Sequence, residues 1–149
     1  TPITTSRAIH MSVRIGNLTG GYCGLLVVPC NTVLVTPTLT AGIRGTGVYT
    51  EVMPEQNYRS YFCNCYGVVD VGASGDKAVS QADYHESFWA EANPKEGRFL
   101  TPAKAINHTD EEMEFLARLV NQRTAWQISG VKGTKENDGY STPAPAPAR

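Results

Sequence analysis

Between Tyr58 and Tyr66 the chain sets Arg59, Tyr61, Cys63 and Cys65 at alternate positions, with Tyr58, Ser60, Phe62 and Asn64 between them. A repeat of two puts alternate side chains on opposite faces of an extended strand, and a helix cannot reproduce it. Both thiols therefore project from one face of a β-strand. Gly67 ends this run, and the strand pattern resumes over residues 68–71. Upstream, Gly42, Gly45 and Gly47 recur around Arg44 and Thr46. Glycine takes positive φ and lets backbones approach closely, so this block reads as a tight structural turn. Residues 33–36 before it and 48–52 after it are β-branched and aromatic, as strands require, and Pro54 then interrupts. These signals predict a mainly β fold, either a twisted sheet or sandwich or a solenoid-like stack.

One helix is expected near the C-terminus. Thr109 followed three residues later by Glu112 forms a capping-box sequence. Met113, Leu116, Ala117 and Val120 then recur at helical spacing, with Phe115 and Leu119 widening the stripe, so the helix is drawn over about 109–123 and packed on the sheet. After Trp126 come Gly130, Gly133 and Gly139 among polar residues, then alternating proline and alanine up to Arg149. Residues 128–149 lack the apolar content to fold alone and read as a disordered or extended, polyproline-like tail. The resulting organisation is an N-terminal arm or hairpin (1–32), one β domain with its helix (33–127), and the tail. A chain of 149 residues with 41% hydrophobic content suffices for one core. A net charge of −1 excludes the basic footprint that nucleic acid demands. No apolar run approaches the ~20 residues that a bilayer-spanning helix needs. The chain opens on Thr1 with no signal-peptide pattern, which fits either a mature exported form or a fragment.

The four cysteines, Cys23, Cys30, Cys63 and Cys65, allow three complete disulfide pairings. A Cys23–Cys30 bridge closing a hairpin is one option, and pairing of either with Cys63 or Cys65 is another. A Cys63–Cys65 bridge is disfavoured, because same-face strand neighbours lie about 6.5–7 Å apart along the chain. A metal ion tolerates that spacing better, since two thiolates need only come within tetrahedral separation of each other. Two further ligands must come from His10, His85 and His108. His85 and His108 are the natural pair. His108 precedes the capped helix start, where the positive end of the helix disfavours imidazolium and keeps the ring in its ligating form. Packing of that ring on Met113 is the alternative. Cys63, Cys65, His85 and His108 are thus expected to bind one ion, with zinc suited to a closed structural role and iron, mononuclear or as a two-iron cluster, the redox alternative. The competing reading of the same residues is disulfides or free buried cysteines with ordinary histidines.

Other constellations are weaker. Asp83, Glu86 and Glu91 surround His85, but no nucleophile elbow or phosphate-binding glycine loop accompanies them, so the chain reads as non-catalytic. Arg44 is expected to fix a carboxylate or nearby carbonyls. Phe88 and Trp89 read as core.

The segment TPTLTAGIRGTGVYTEV, with the two strands after it, resembles the core of the bacterial FecR domain over residues 33–71. Some FecR-like sequences continue with a Cys-x-Cys-Tyr-Gly strand, a histidine and an Asn-His-Thr-Asp segment, matched here by Cys63, Cys65, Tyr66, Gly67, His85, Asn107, His108, Thr109 and Asp110. The resemblance implies a periplasmic or otherwise extracytoplasmic, non-enzymatic β domain that binds a protein partner in an envelope complex. In signalling members such a domain acts between an outer-membrane receptor and a cytoplasmic sigma factor. Expected roles are therefore a binding or assembly module, a redox accessory protein using the same cluster, or a fragment of a FecR-type regulator.

Overall fold

The computed structural model describes residues 11–13, 22–136 and 139–141, with side chains described for 24–27 and 32–133. Among the described residues the fold is mainly β. Strands β1 (Met11–Val13), β2 (Tyr22–Val35), β3 (Thr40–Met53), β4 (Arg59–Ala73), β5 (Asp76–Ala82), β6 (Glu86–Lys95) and β7 (Arg98–Ala103) form one antiparallel sheet. Its order is β1-β2-β3-β4-β6-β7, and β5 also pairs with β4. Helices α1 (Asp110–Leu119) and α2 (Ala125–Ser129) follow, then a separate two-stranded ribbon of β8 (Thr134–Glu136) and β9 (Gly139–Ser141). The expected boundary at residue 33 falls inside β2, which runs unbroken from Tyr22. Residues 142–149, with the Pro-Ala repeat, lie outside the described residues.

The sheet forks along β4. Residues 60–64 pair with β6, whereas residues 67–73 pair with β5. At the fork, β3 shifts register against β4 on both sides of Gly47, which lies opposite Tyr66. The glycine block Gly42, Arg44, Gly45, Gly47 is therefore a bulged stretch inside the continuous strand β3, not a turn between two strands. The reversal comes earlier, where the Thr36 hydroxyl accepts the Leu39 N–H at 3.0 Å.

Glycine is needed at the fork because the strands crowd there. Gly67 has φ 105°, and a Cβ on it would lie 2.5 Å from the Thr46 Cβ and 2.9 Å from the Gly45 carbonyl. A Cβ on Gly47 would meet the Tyr66 ring at 2.5 Å and the Met113 sulfur at 2.6 Å. Asn64, between the two cysteines, ties the bulge together. Its carbonyl accepts from Thr46 Oγ1 at 3.0 Å, and its amide donates to the Gly67 carbonyl and to Ser80 Oγ, both at 2.9 Å.

The bulge also shifts the alternation of β4 by one residue. Tyr61, Cys63 and Cys65 join one buried cluster with Tyr49, Met113, Leu116 and Trp126 under the helices, while Val69 and Val71 join a second with Ile43, Phe62 and Leu100. Burial of Met113 and Leu116 contributes about 1.5–3 kcal/mol each, which holds α1 against the sheet. Phe115 and Leu119, expected to widen that apolar stripe, instead sit half-exposed, and the Arg118 guanidinium lies 5.5 Å from the Phe115 ring centroid. The helix also ends sooner than residue 123. Asn121 turns to φ 55°, and the Gln122 N–H returns to the Ala117 carbonyl.

Candidate metal centre

Three segments converge beside the fork. β4 carries Cys63 and Cys65 on its helix-facing side. The link between β5 and β6 brings His85, whose backbone N–H bonds the Cys65 carbonyl at 2.9 Å and whose φ is 36°. The link between β7 and α1 brings His108. Tyr61 anchors this second link, for its hydroxyl lies 2.7 Å from the Lys104 carbonyl and accepts the Ile106 N–H at 3.1 Å. Both halves of the capping box form around Thr109, the residue after the histidine, so α1 starts at Asp110. The His108 ring stacks on Tyr49, with centroids 4.6 Å apart and planes 17° apart.

The four side chains are buried, and their ligand atoms all lie within 4.8 Å of one another. The two sulfurs are 3.7 Å apart, too far for a disulfide, and both cysteines are free. Cys63 Sγ is 3.3 Å from His85 Nδ1, Cys65 Sγ is 3.4 Å from His108 Nε2, and the two nitrogens are 3.2 Å apart. Bonds of ~2.3 Å to sulfur and ~2.0 Å to nitrogen at the tetrahedral angle give edges of about 3.8 Å between sulfurs, about 3.5 Å from sulfur to nitrogen and about 3.3 Å between nitrogens. The four separations given are close to these values and the other two sulfur–nitrogen pairs lie within 4.8 Å, so the group could hold a metal ion.

The outward edges of the rings fix their tautomers. His85 Nε2 faces Asp110 Oδ1 at 2.8 Å, and His108 Nδ1 faces the Ile106 carbonyl at 2.6 Å. Both partners are acceptors, so both outward nitrogens carry hydrogen. In neutral rings the inward nitrogens then present lone pairs to each other, as ligands do. Asp110 is held in turn by the Tyr84 hydroxyl at 2.9 Å and the Lys132 ammonium at 3.1 Å. Trp126, from α2, stacks on His85 at 5.3 Å and donates its indole N–H to Glu114 at 2.8 Å.

The electrostatics describe a site that wants positive charge. Burial opposes a thiolate at Cys63, yet the Cys65 thiol and the two imidazoles hold its pKa well below the usual range. Burial and the charges of Cys63 and Asp110 push Cys65 well above it. Without an ion, one proton is therefore shared unequally by the two sulfurs. Burial works against imidazolium at His85, but the Asp110 hydrogen bond and the Cys63 sulfur outweigh it and raise the pKa to about 9. Asp110, although desolvated, is depressed by His85, Tyr84 and Lys132.

The other expected residues lie elsewhere. Asp83 is exposed, Glu86 accepts from Ser80, and Glu91 pairs with Arg59 at 2.6 Å, so these acids do not gather into a reacting group around His85. Arg44 binds a carboxylate, that of Asp70, at 2.5 Å. Cys23 and Cys30 both fall in β2, and their side chains, like the whole of His10, lie outside the described residues. Sequence reasoning missed Asp110, Tyr61, Tyr49 and Trp126. Asp110 had been named only as the last residue of the Asn-His-Thr-Asp match, and α2 carried its own unread signal, the Thr124-x-x-Gln127 capping box.

No protein-family model matches the chain, and no curated protein or solved structure matches it either.

Proposed function

We propose that this chain is a non-catalytic β domain crosslinked by a single zinc ion at Cys63, Cys65, His85 and His108, and that it works as a binding or assembly module. The observation that carries this reading is the pair of inward imidazole nitrogens 3.2 Å apart, each with its outer nitrogen committed to an acceptor. Two inward nitrogens at that distance need a cation between them, which is the metal ion or, in the metal-free protein, the proton that His85 holds. The burial of all four ligands supports a structural ion, because a catalytic zinc keeps a position open to water or substrate. Two soft and two imidazole ligands in tetrahedral array suit zinc. The sequence resemblance of residues 33–71 to the FecR domain supports an extracytoplasmic setting and a protein partner in the cell envelope. No helix among the described residues is long and apolar enough to cross a membrane.

The test is elemental analysis of protein purified without added metal, with an absorption spectrum and a thiol titration. One zinc per chain and a colourless solution are expected. Visible charge-transfer bands would assign the ion as iron and the role as redox. Protein that holds no ion and takes up neither zinc nor cobalt would refute the reading.

A further inference from the structure

Glu51 is a buried acid that the four-ligand description does not use. It projects from β3 and is 1% exposed. Its Oε2 accepts the Tyr49 hydroxyl at 3.1 Å and the Asn107 amide at 3.0 Å. Its other oxygen, Oε1, has no hydrogen-bond partner among the described residues. Burying a carboxylate with only two neutral donors is expensive, and an apolar side chain would fill the same space at less cost.

Both donors lead to the same ligand. Tyr49 carries the ring on which the His108 imidazole stacks. Asn107 is the residue immediately before His108 and stands in the left-handed region at φ 59°, which asparagine tolerates better than most residues. Glu51 thus grips the face that His108 rests on and the backbone from which it hangs. The hold from His108 Nδ1 to the Ile106 carbonyl is internal to the same link, and Tyr61 ties that link to the sheet upstream of Asn107, at Lys104 and Ile106.

We infer that Glu51 is a positioning residue that sets His108 for the metal by bracing Tyr49 and Asn107 from β3. This rests on the metal-site reading above and adds to it a group that touches no ligand atom. Removing outer supports of ligating histidines weakens metal affinity by roughly 10–100-fold.

The test uses the full chain, cobalt(II) as a visible probe, and a competing chelator to measure affinity. Melting of the metal-free form is followed alongside. Glu51→Ala is expected to lose affinity within that range and to shift the cobalt ligand-field bands. Glu51→Gln, which keeps an acceptor oxygen for both donors, is expected to retain wild-type affinity. Asn107→Gly keeps the left-handed backbone while removing the amide, so it remains informative if Glu51→Ala does not fold, and a loss of about tenfold is expected. Wild-type affinity and spectrum in both Glu51→Ala and Asn107→Gly would overturn the inference, even if the metal-free form melted lower, because Glu51 would then be scaffold alone. Wild-type protein that fails to bind cobalt would instead overturn the metal reading, so the two failures are distinguishable.

Discussion

Cys65→Ser separates the metal from the fold that holds it. Cys65 is fully buried, with its sulfur 3.7 Å from Cys63 Sγ and 3.4 Å from His108 Nε2. Serine keeps the shape but supplies no thiolate. In the metal-free protein the change exchanges a weak S–H donor for a more polar hydroxyl that can still reach His108, at a cost of about 1–2 kcal/mol. In the presence of zinc the loss is larger. An ion at 100 times its dissociation constant stabilises the native state by about 2.7 kcal/mol. At about 2–4 °C per kcal/mol for a chain of this size, wild-type protein should melt about 5–11 °C higher with zinc than with chelator. That increment should collapse in Cys65→Ser while its chelated melting point falls by about 2–8 °C. Scanning calorimetry of both proteins, with and without zinc, measures the double difference, and elemental analysis gives the stoichiometry. An undiminished zinc increment in Cys65→Ser, with one ion still bound, would refute the four-ligand site.

Two further outcomes are expected. In the metal-free protein the pKa of His85 stands above its ordinary 6.5, at about 9, so its stabilising contribution is complete below pH 6.5 and is lost as pH rises through about 9. Bound zinc replaces that proton, so the alkaline decline should vanish in the loaded protein; urea melts across pH 6–10 with and without chelator test this, and an identical decline in both would contradict it. Gly67→Ala should destabilise the domain by about 2–4 kcal/mol, because the new Cβ meets backbone and Thr46 at a positive φ, and it should lower zinc affinity by moving Cys65; a chemical-denaturation midpoint close to wild type would count against the bulge as the site's foundation.

The ligands were legible in the sequence because the chain is poor in alternatives. Three histidines and one Cys-x-Cys strand leave few tetrahedral sets, and the Thr109 capping box fixed where His108 must sit. Strand periodicity likewise gave the mainly β class and the shared face of Tyr61, Cys63 and Cys65. The glycine block was misread because glycine signals positive φ without saying whether the chain reverses or bulges. That choice was made by Asn64 and Thr46, bonded across strands that are 18 residues apart. The supports were hidden for the same reason. Glu51 and Asn107 are 56 residues apart, and no local pattern announces their pairing. Conversely, α2 was overlooked although its capping box was plain, because five residues are too few to show a repeat.

The fork in β4 fixes when an ion can join the molecule. Cys63 and Cys65 lie where the strand leaves one neighbour for the other; His85 follows the first of these neighbours in the chain, and His108 comes only after the second neighbour and β7. A nascent chain therefore offers incoming zinc two sulfurs and one imidazole once β5 is in place, and a fourth ligand only when nearly the whole sheet has been made. Capture of the cation belongs to the final stage of assembly and seals an architecture that the polypeptide has already built.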